Sequence, residues 1–267
     1  MFTPKKSLGQ NFLIDKNIIR KIISIVKIKK CNVIEIGPGT GNLTNEIIRR
    51  DPKKVILIEK DYQLFRNLQE KFRFKKNVEI LNNDILKLDL ENKIKKDSII
   101  FGNLPYNIST QILVKLIKFK IWPPTYRKLI LMFQKEVAER ILSKHNSSKY
   151  GRLGIISNWR LKVVDSFNIS KNCFYPKPKI DSTVLVFEPI VNKVYKIKDI
   201  NNLEIVTQSF FSKRRKMINK VFAKLFDKSV FHSKKLNINL TCRPSQIKKE
   251  YYYKITEYYE KYGKIIR

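Results

Sequence analysis

The sequence predicts an α/β chain: a doubly wound, largely parallel sheet followed by a smaller, basic helical domain. Three observations carry this. Short apolar runs alternate with amphipathic, helix-length segments between about Asp15 and Glu188. Polar or glycine-rich residues close those runs, and the alternation stops near Val191. Strands alternating with helices are joined by crossovers and so pair in parallel, and such sheets hold ligands beyond the carboxyl ends of their strands.

Asp15 is placed to cap a helix running to about Lys27, with Ile18, Ile19, Ile22, Ile23 and Val26 on one side. Asn32 to Ile36 reads as a buried strand that ends in Gly37-Pro38-Gly39-Thr40-Gly41, with a helix following over Asn42 to Arg50. A second strand, Lys54 to Ile58, ends at Glu59, and a helix is expected over Asp61 to Phe72. Val78 to Leu81 forms a third strand with Asn82-Asn83-Asp84 at its exit, and Ser98 to Phe101 a fourth. Downstream come an apolar run at Leu129–Phe133, a helix around Lys135–Ser143, and strands near Val163–Asn168 and Thr183–Glu188. From Val191 the segments are helical and rich in Lys, Arg and Tyr, so one boundary is drawn there: residues 1–190 carry the sheet and 191–267 the helical domain. No internal repeat is evident.

Lys and Arg number 56 against 23 acidic residues, a formal charge of +33. A coding bias towards Lys, Ile and Asn would also enrich Glu, so it does not account for the imbalance of sign. A compact chain so charged repels itself, and a polyanion relieves the repulsion. Nucleic acid is the expected partner. A membrane is not expected, because no long uncharged apolar segment or signal sequence is present. Cys31, Cys173 and Cys242 are far apart and without metal-ligand spacing, which suits reduced thiols in a cytoplasmic protein, and no metal is expected. His145 and His232 are solitary and read as surface residues. No unpaired apolar seam is evident, so a monomer is expected.

Asn103-Leu104-Pro105-Tyr106, at the exit of the fourth strand, combines an amide, a proline that exposes its preceding carbonyl and a flat ring. Such a set can hold an exocyclic amino group. The Asn oxygen and a main-chain oxygen accept its two protons, and the ring covers the base. The glycine loop reads G-x-G-x-G rather than the G-x-G-x-x-G of a dinucleotide site. Alone it could be a tight structural turn. Glu59 closes the next strand, where a carboxylate can accept both ribose hydroxyls, and Asp84 closes the one after, within reach of an adenine amino group. S-adenosylmethionine suits this set better than a dinucleotide. It has no pyrophosphate to cradle, and its sulfonium methyl is an electrophile that a neutral amine can attack.

These residues, together with several other segments, resemble the ribosomal RNA adenine N6,N6-dimethyltransferases, most closely those of the bacterial small subunit. The matching segments are Lys6-Ser7-Leu8-Gly9-Gln10-Asn11-Phe12-Leu13, the Glu35–Gly41 loop, Phe101 to Ser109, Gln134-Lys135-Glu136-Val137 and Phe174 to Ser182. Phe211-Ser212-Lys213-Arg214-Arg215-Lys216 and Arg243-Pro244-Ser245-Gln246 extend the match into the helical part. Asn83, where the family often has Gly, and Met217 depart mildly from the pattern.

The resemblance implies a Rossmann-like, S-adenosylmethionine-dependent methyltransferase sheet, with Asn11 and Leu13 bordering the cofactor and Gly37, Gly39, Gly41, Glu59, Asp84 and Asn103 binding it. It implies that Tyr106 and Phe174 sandwich a target adenine whose amino group is held by Asn103 and the main-chain oxygen of Leu104 or Pro105. Lys213, Arg214, Arg215 and Lys216 form the densest basic cluster and read as an RNA-facing patch in preference to a solvated helix face. The target would be adjacent adenosines in a loop near the 3′ end of small-subunit RNA within an immature subunit. Two alternatives stay open: a large-subunit RNA methyltransferase, and an assembly factor that keeps the fold without catalysis.

Overall fold

The computed structural model describes residues 4–5, 9–192 and 194–264, so Lys6, Ser7 and Leu8 of the N-terminal motif lie outside the described residues. The chain divides into two compact units, Met1–Ala138 with Leu161–Pro189, and Glu139–Arg160 with Ile190–Arg267.

In the first unit a short strand β1 (Phe12–Leu13) precedes α1 (Lys16–Ser24), and Asp15 caps that helix by accepting from the backbone N–H groups of Asn17 and Ile18. Then follow β2 (Asn32–Ile36), α2 (Asn42–Arg49), β3 (Lys54–Glu59), α3 (Tyr62–Phe72), β4 (Val78–Asn82), β5 (Ser98–Asn103), α4 (Ser109–Ile117), β6 (Tyr126–Gln134) and α5 (Lys135–Leu142). After α6 (Arg152–Arg160) come β7 (Leu161–Ile169), β8 (Phe174–Tyr175) and β9 (Ser182–Pro189).

The main sheet has the order β4-β3-β2-β5-β6-β9-β7. Its first five strands pair in parallel, and β9 pairs antiparallel with both β6 and β7. Val33, Val55, Leu57, Ile99, Phe101 and Ile130 are buried within it, as expected for strands covered on both faces. The α1 face that carries Ile19, Ile22 and Ile23 packs into the same core as α2 and α3. Each helix of this half runs back over the sheet, which is why the strand exits gather along one edge.

The second unit is helical: α6, α7 (Ile200–Phe211), α8 (Asn219–Leu225), α9 (Ser229–Leu236) and α10 (Lys249–Tyr262). The single boundary expected near residue 190 is therefore too simple, because residues 139–160 belong with the helices. The physical cause is aromatic and amide packing. The Tyr253 hydroxyl donates to the Ile155 carbonyl at 2.8 Å, and Asn158 Nδ2 donates to the Ile141 carbonyl at 3.1 Å. The Tyr150 ring meets Phe211 edge-on at 6.1 Å. α4 and α6 were not anticipated, nor was the β1–β8 pair. α6 has apolar residues around most of its circumference, with Gly154, Ile155, Ile156 and Trp159 all buried, so it lacks the one-sided pattern that marks an amphipathic helix.

Gly154 lets α5 and α6 approach closely, since a Cβ there would lie 2.8 Å from the Arg140 carbonyl oxygen. Gly154→Ala is expected to destabilise the protein by about 1–3 kcal/mol through overpacking, measured as a lower urea midpoint with an unchanged slope.

Candidate active site

Ile36 pairs with Gly102 across the parallel β2–β5 ladder, so the residues just beyond, Gly37 and Asn103, emerge side by side. A Cβ on Gly37 would stand 3.6 Å from the Asn103 carbonyl oxygen. The strand order reverses here, with β3 on one side of β2 and β5 on the other, and open α/β sheets bind ligands at this point. A cavity lies there, lined by Gly37 and Gly39 of the glycine loop, Glu59, Asp84, Asn11, and the whole Asn103–Tyr106 set.

Glu59 is 6% exposed. Its Oε2 accepts from the Gly39 N–H at 3.1 Å and its Oε1 from the Asp61 N–H at 2.9 Å. Burial raises its pKa above the ordinary carboxylate value, and those two N–H groups oppose the rise without cancelling it. Each oxygen keeps a second lone pair for a hydroxyl donor. Gly39 is needed where it stands, with φ +58° and a Phe12 ring carbon 2.7 Å from where a Cβ would be. Burial also pushes the Asp84 carboxyl up, but the Leu86 N–H and the Lys60 ammonium 3.0 Å away outweigh it, and the net shift is downward. Two carboxylates against the single Lys60 ammonium thus line this cavity in a chain of net charge +33, and that local sign suits a cationic ligand.

Asn103 Nδ2 donates to the Asn11 carbonyl at 2.9 Å. A carbonyl can only accept, so this contact sets the amide orientation and leaves Oδ1 as the free acceptor. The Pro105 carbonyl accepts from the Ile108 N–H at 3.1 Å and keeps a second lone pair, so the main-chain oxygen of either Leu104 or Pro105 can serve as the second acceptor. The Tyr106 hydroxyl is hydrogen-bonded to Ser182 Oγ at 2.7 Å. Burial raises its pKa, with the Ser182 contact opposing.

Three residues named from the sequence lie elsewhere. Leu13 is in the core, paired with Phe174 across β1–β8, while its carbonyl accepts from Asn42 Nδ2 at 2.9 Å. Gly41 is the left-handed N-cap of α2, and a Cβ there would press on Leu68 and Phe72 of α3 at 3.0–3.2 Å. Phe174 is 3% exposed and packs in the core cluster rather than on the cavity. In the second unit, Lys213, Arg215 and Lys216 are exposed in the turn after α7, whereas Arg214 donates to the Ser147 and Ser148 carbonyls and holds that loop.

Sequence reasoning missed the apolar walls, Ile58, Leu64 and Ile85, and also Gln10 and Lys60. Ile85 directly follows Asp84, and that adjacency was the available signal. Among the described residues, no cluster of His, Cys, Asp and Glu could hold a metal and no helix is long and apolar enough to cross a membrane. All three cysteines are free.

Sheet order and cavity position together define an S-adenosylmethionine-dependent methyltransferase fold. The chain matches the family described as ribosomal RNA adenine dimethylase over residues 1–261, and it belongs to that family. It is 47% identical to a ribosomal RNA small subunit methyltransferase A of Pelagibacter ubique, over 96% of this chain and 97% of that one. A protein of the same name from Mycoplasma mobile is 38% identical over 91% of this chain and 93% of its own length. Among solved structures, a dimethyladenosine transferase from Plasmodium falciparum superposes with a TM-score of 0.77 at 25% identity, covering 93% of this chain and 96% of that one. The 23S rRNA methyltransferase ErmE superposes at 0.67 with 20% identity, covering 94% of this chain and 100% of its own, a likeness of fold.

Beneath the glycine loop, Glu35 is 1% exposed and accepts from Thr44 Oγ1 at 2.6 Å. Burial, with Glu59 adding repulsion and Thr44 and Lys71 opposing, raises its pKa to about 7. The folded state therefore binds this proton more tightly than the unfolded chain. Its contribution to stability is complete below about pH 4.5 and is lost as pH rises through about 7. Glu35→Gln should remove that component, so that denaturation curves of variant and wild type diverge in the variant's favour between these pH values.

Proposed function

We propose that this chain is an S-adenosylmethionine-dependent adenine N6,N6-dimethyltransferase of small-subunit ribosomal RNA, acting on 16S RNA in an immature subunit in the cytoplasm, as a monomer. The observation that carries the reading is the orientation of Asn103, whose amide nitrogen is held by Asn11 and whose oxygen remains to accept from a substrate amino group.

The residues present fit the cofactor. Glu59 offers paired acceptors for a diol, Asp84 an acceptor beside the apolar Ile58 and Ile85, and the glycine loop a close backbone approach. When bound, S-adenosylmethionine supplies an electrophilic methyl on positively charged sulfur. The Asn103 oxygen and the main-chain oxygen of Leu104 or Pro105 hold the two N6 protons of adenine, which favours a pyramidal nitrogen and stabilises the positive charge that develops on it. No strong general base is required, because the proton can leave after transfer. Positioning of this kind is worth roughly 7–11 kcal/mol in well-oriented systems. Dimethylation further requires that the space around N6 admit a monomethylated amine.

The adenine must be unpaired or flipped to enter the cavity, and stacking on Tyr106 offsets what it loses, at roughly 1–3 kcal/mol per base. A contribution from Phe174 would require its ring to leave the core packing. The small subunit is favoured over the large because the relatives that match at 38–47% identity over more than nine-tenths of their length carry the small-subunit name. The ErmE likeness bears on fold alone.

Asn103→Ala should lower methyl transfer roughly 10²–10³-fold, the size of effect seen for a lost transition-state hydrogen bond, while calorimetry finds cofactor affinity nearly intact. Transfer at the wild-type rate would reject the amino grip. Glu59→Ala should weaken cofactor binding by roughly 10–100-fold, in line with a hydrogen bond to a charged group. Undermethylated small subunits, large subunits and naked DNA, each incubated with labelled cofactor, separate the substrate classes. Replacing Lys213, Arg215 and Lys216 by Ala should reduce the salt dependence of RNA binding by a slope of about 2.

A further inference from the structure

We propose that Ser182 is a positioning residue for base recognition: its hydroxyl fixes the plane of the Tyr106 ring against which the target adenine stacks. The inference rests on the reading of Tyr106 as a stacking platform and adds the group that orients it.

Tyr106 is only half-buried and sits in a turn, an unpromising place for a rigid platform. Its main chain is held where the turn enters α4: the Ile108 N–H donates to the Pro105 carbonyl, and Ser109 Oγ donates to the Tyr106 carbonyl at 3.2 Å. That fixes the Cα end but leaves two side-chain torsions free. The 2.7 Å contact with Ser182 Oγ fixes the other end of the ring. Ser182 is well suited to this, being fully buried and opposite both Gln134 of β6 and Ile169 of β7, so pairing on either side immobilises its backbone. A ring pinned at Cα and at the hydroxyl keeps one orientation, and its face is set before the base arrives. Preorganisation of that sort removes an ordering cost from binding and holds N6 in line for attack.

Ser182 also begins β9 directly after the segment that carries Phe174. The Asp181 carbonyl accepts from the Lys135 N–H at 3.0 Å, and its side chain accepts from the Lys171 N–H at 2.9 Å. The hydroxyl contact thus ties the Asn103–Tyr106 turn to a braced strand start.

Tyr106→Phe and Ser182→Ala delete the same hydrogen bond from opposite sides, and Tyr106→Phe keeps the ring. Each should lower kcat/KM for methyl transfer by roughly 3- to 10-fold, the range for one net hydrogen bond. The double variant should be no worse than either single one. Cofactor affinity by calorimetry should be unchanged, and Ser182→Thr should restore activity. The stacking readout is fluorescence quenching of 2-aminopurine placed at a target adenosine, which should weaken in both single variants and vanish in Tyr106→Ala. Multiplicative losses in the double variant, or wild-type quenching and rate in Ser182→Ala, would overturn the role of Ser182 while leaving Tyr106 as a platform. Full quenching in Tyr106→Ala would instead overturn the platform itself, and the proposal with it.

Discussion

Ile36 and Gly102 face each other across a parallel ladder, and the candidate site depends on that register. It delivers the glycine loop and Asn103 to the same place at the point where strand order reverses. Because side chains alternate along a strand, a slip of one residue would turn Asn103 to the opposite face of the sheet and carry the turn behind it out of line. The buried runs Val33–Ile36 and Ile99–Phe101 hold the register from within, since each such residue would be displaced together with the others.

Around that register the polar groups are mutually committed. Glu59 braces the glycine loop through Gly39 and the start of α3 through Asp61. Asp61 in turn caps α3 and pairs with Lys5 at 2.8 Å, while Gln10 donates to the same carboxylate. The N-terminal segment continues through Asn11, which holds Asn103, into β1, which pairs with β8. Groups from the glycine loop, the start of α3, the N-terminal segment and the end of β5 therefore share one hydrogen-bonded frame around the cavity. The excess of carboxylates over cations at the cavity is local; over the whole chain the imbalance has the opposite sign. The protein can thus favour a cationic ligand inside and a polyanion outside.

Much of the architecture was legible because strands buried on both faces leave continuous apolar runs, and because caps such as Asp15 and Asp61 announce helix starts. Glu59, Asp84 and Asn103 were legible for a related reason: each stands in the polar stretch that closes an apolar run, where a strand exit must be. What could not be read were features made by distant partners. Leu13 and Phe174 are ordinary apolar residues in sequence, and their mutual pairing across β1–β8 turns both into the core. Arg214 looks like its neighbours in a basic run, yet its guanidinium is taken by a loop more than sixty residues earlier. Residues 139–160 precede three strands of the first unit but pack with helices of the second, a return that no local pattern signals.

By itself, then, the amino-acid order determined the alternation of elements, the sign and size of the charge, and which polar residues stand at strand ends, because hydrophobic period and capping are local properties. Only the tertiary structure decided which of those ends meet, which way the Asn103 amide faces, and that Ser182 holds the ring of Tyr106, because these depend on register between segments far apart in the chain.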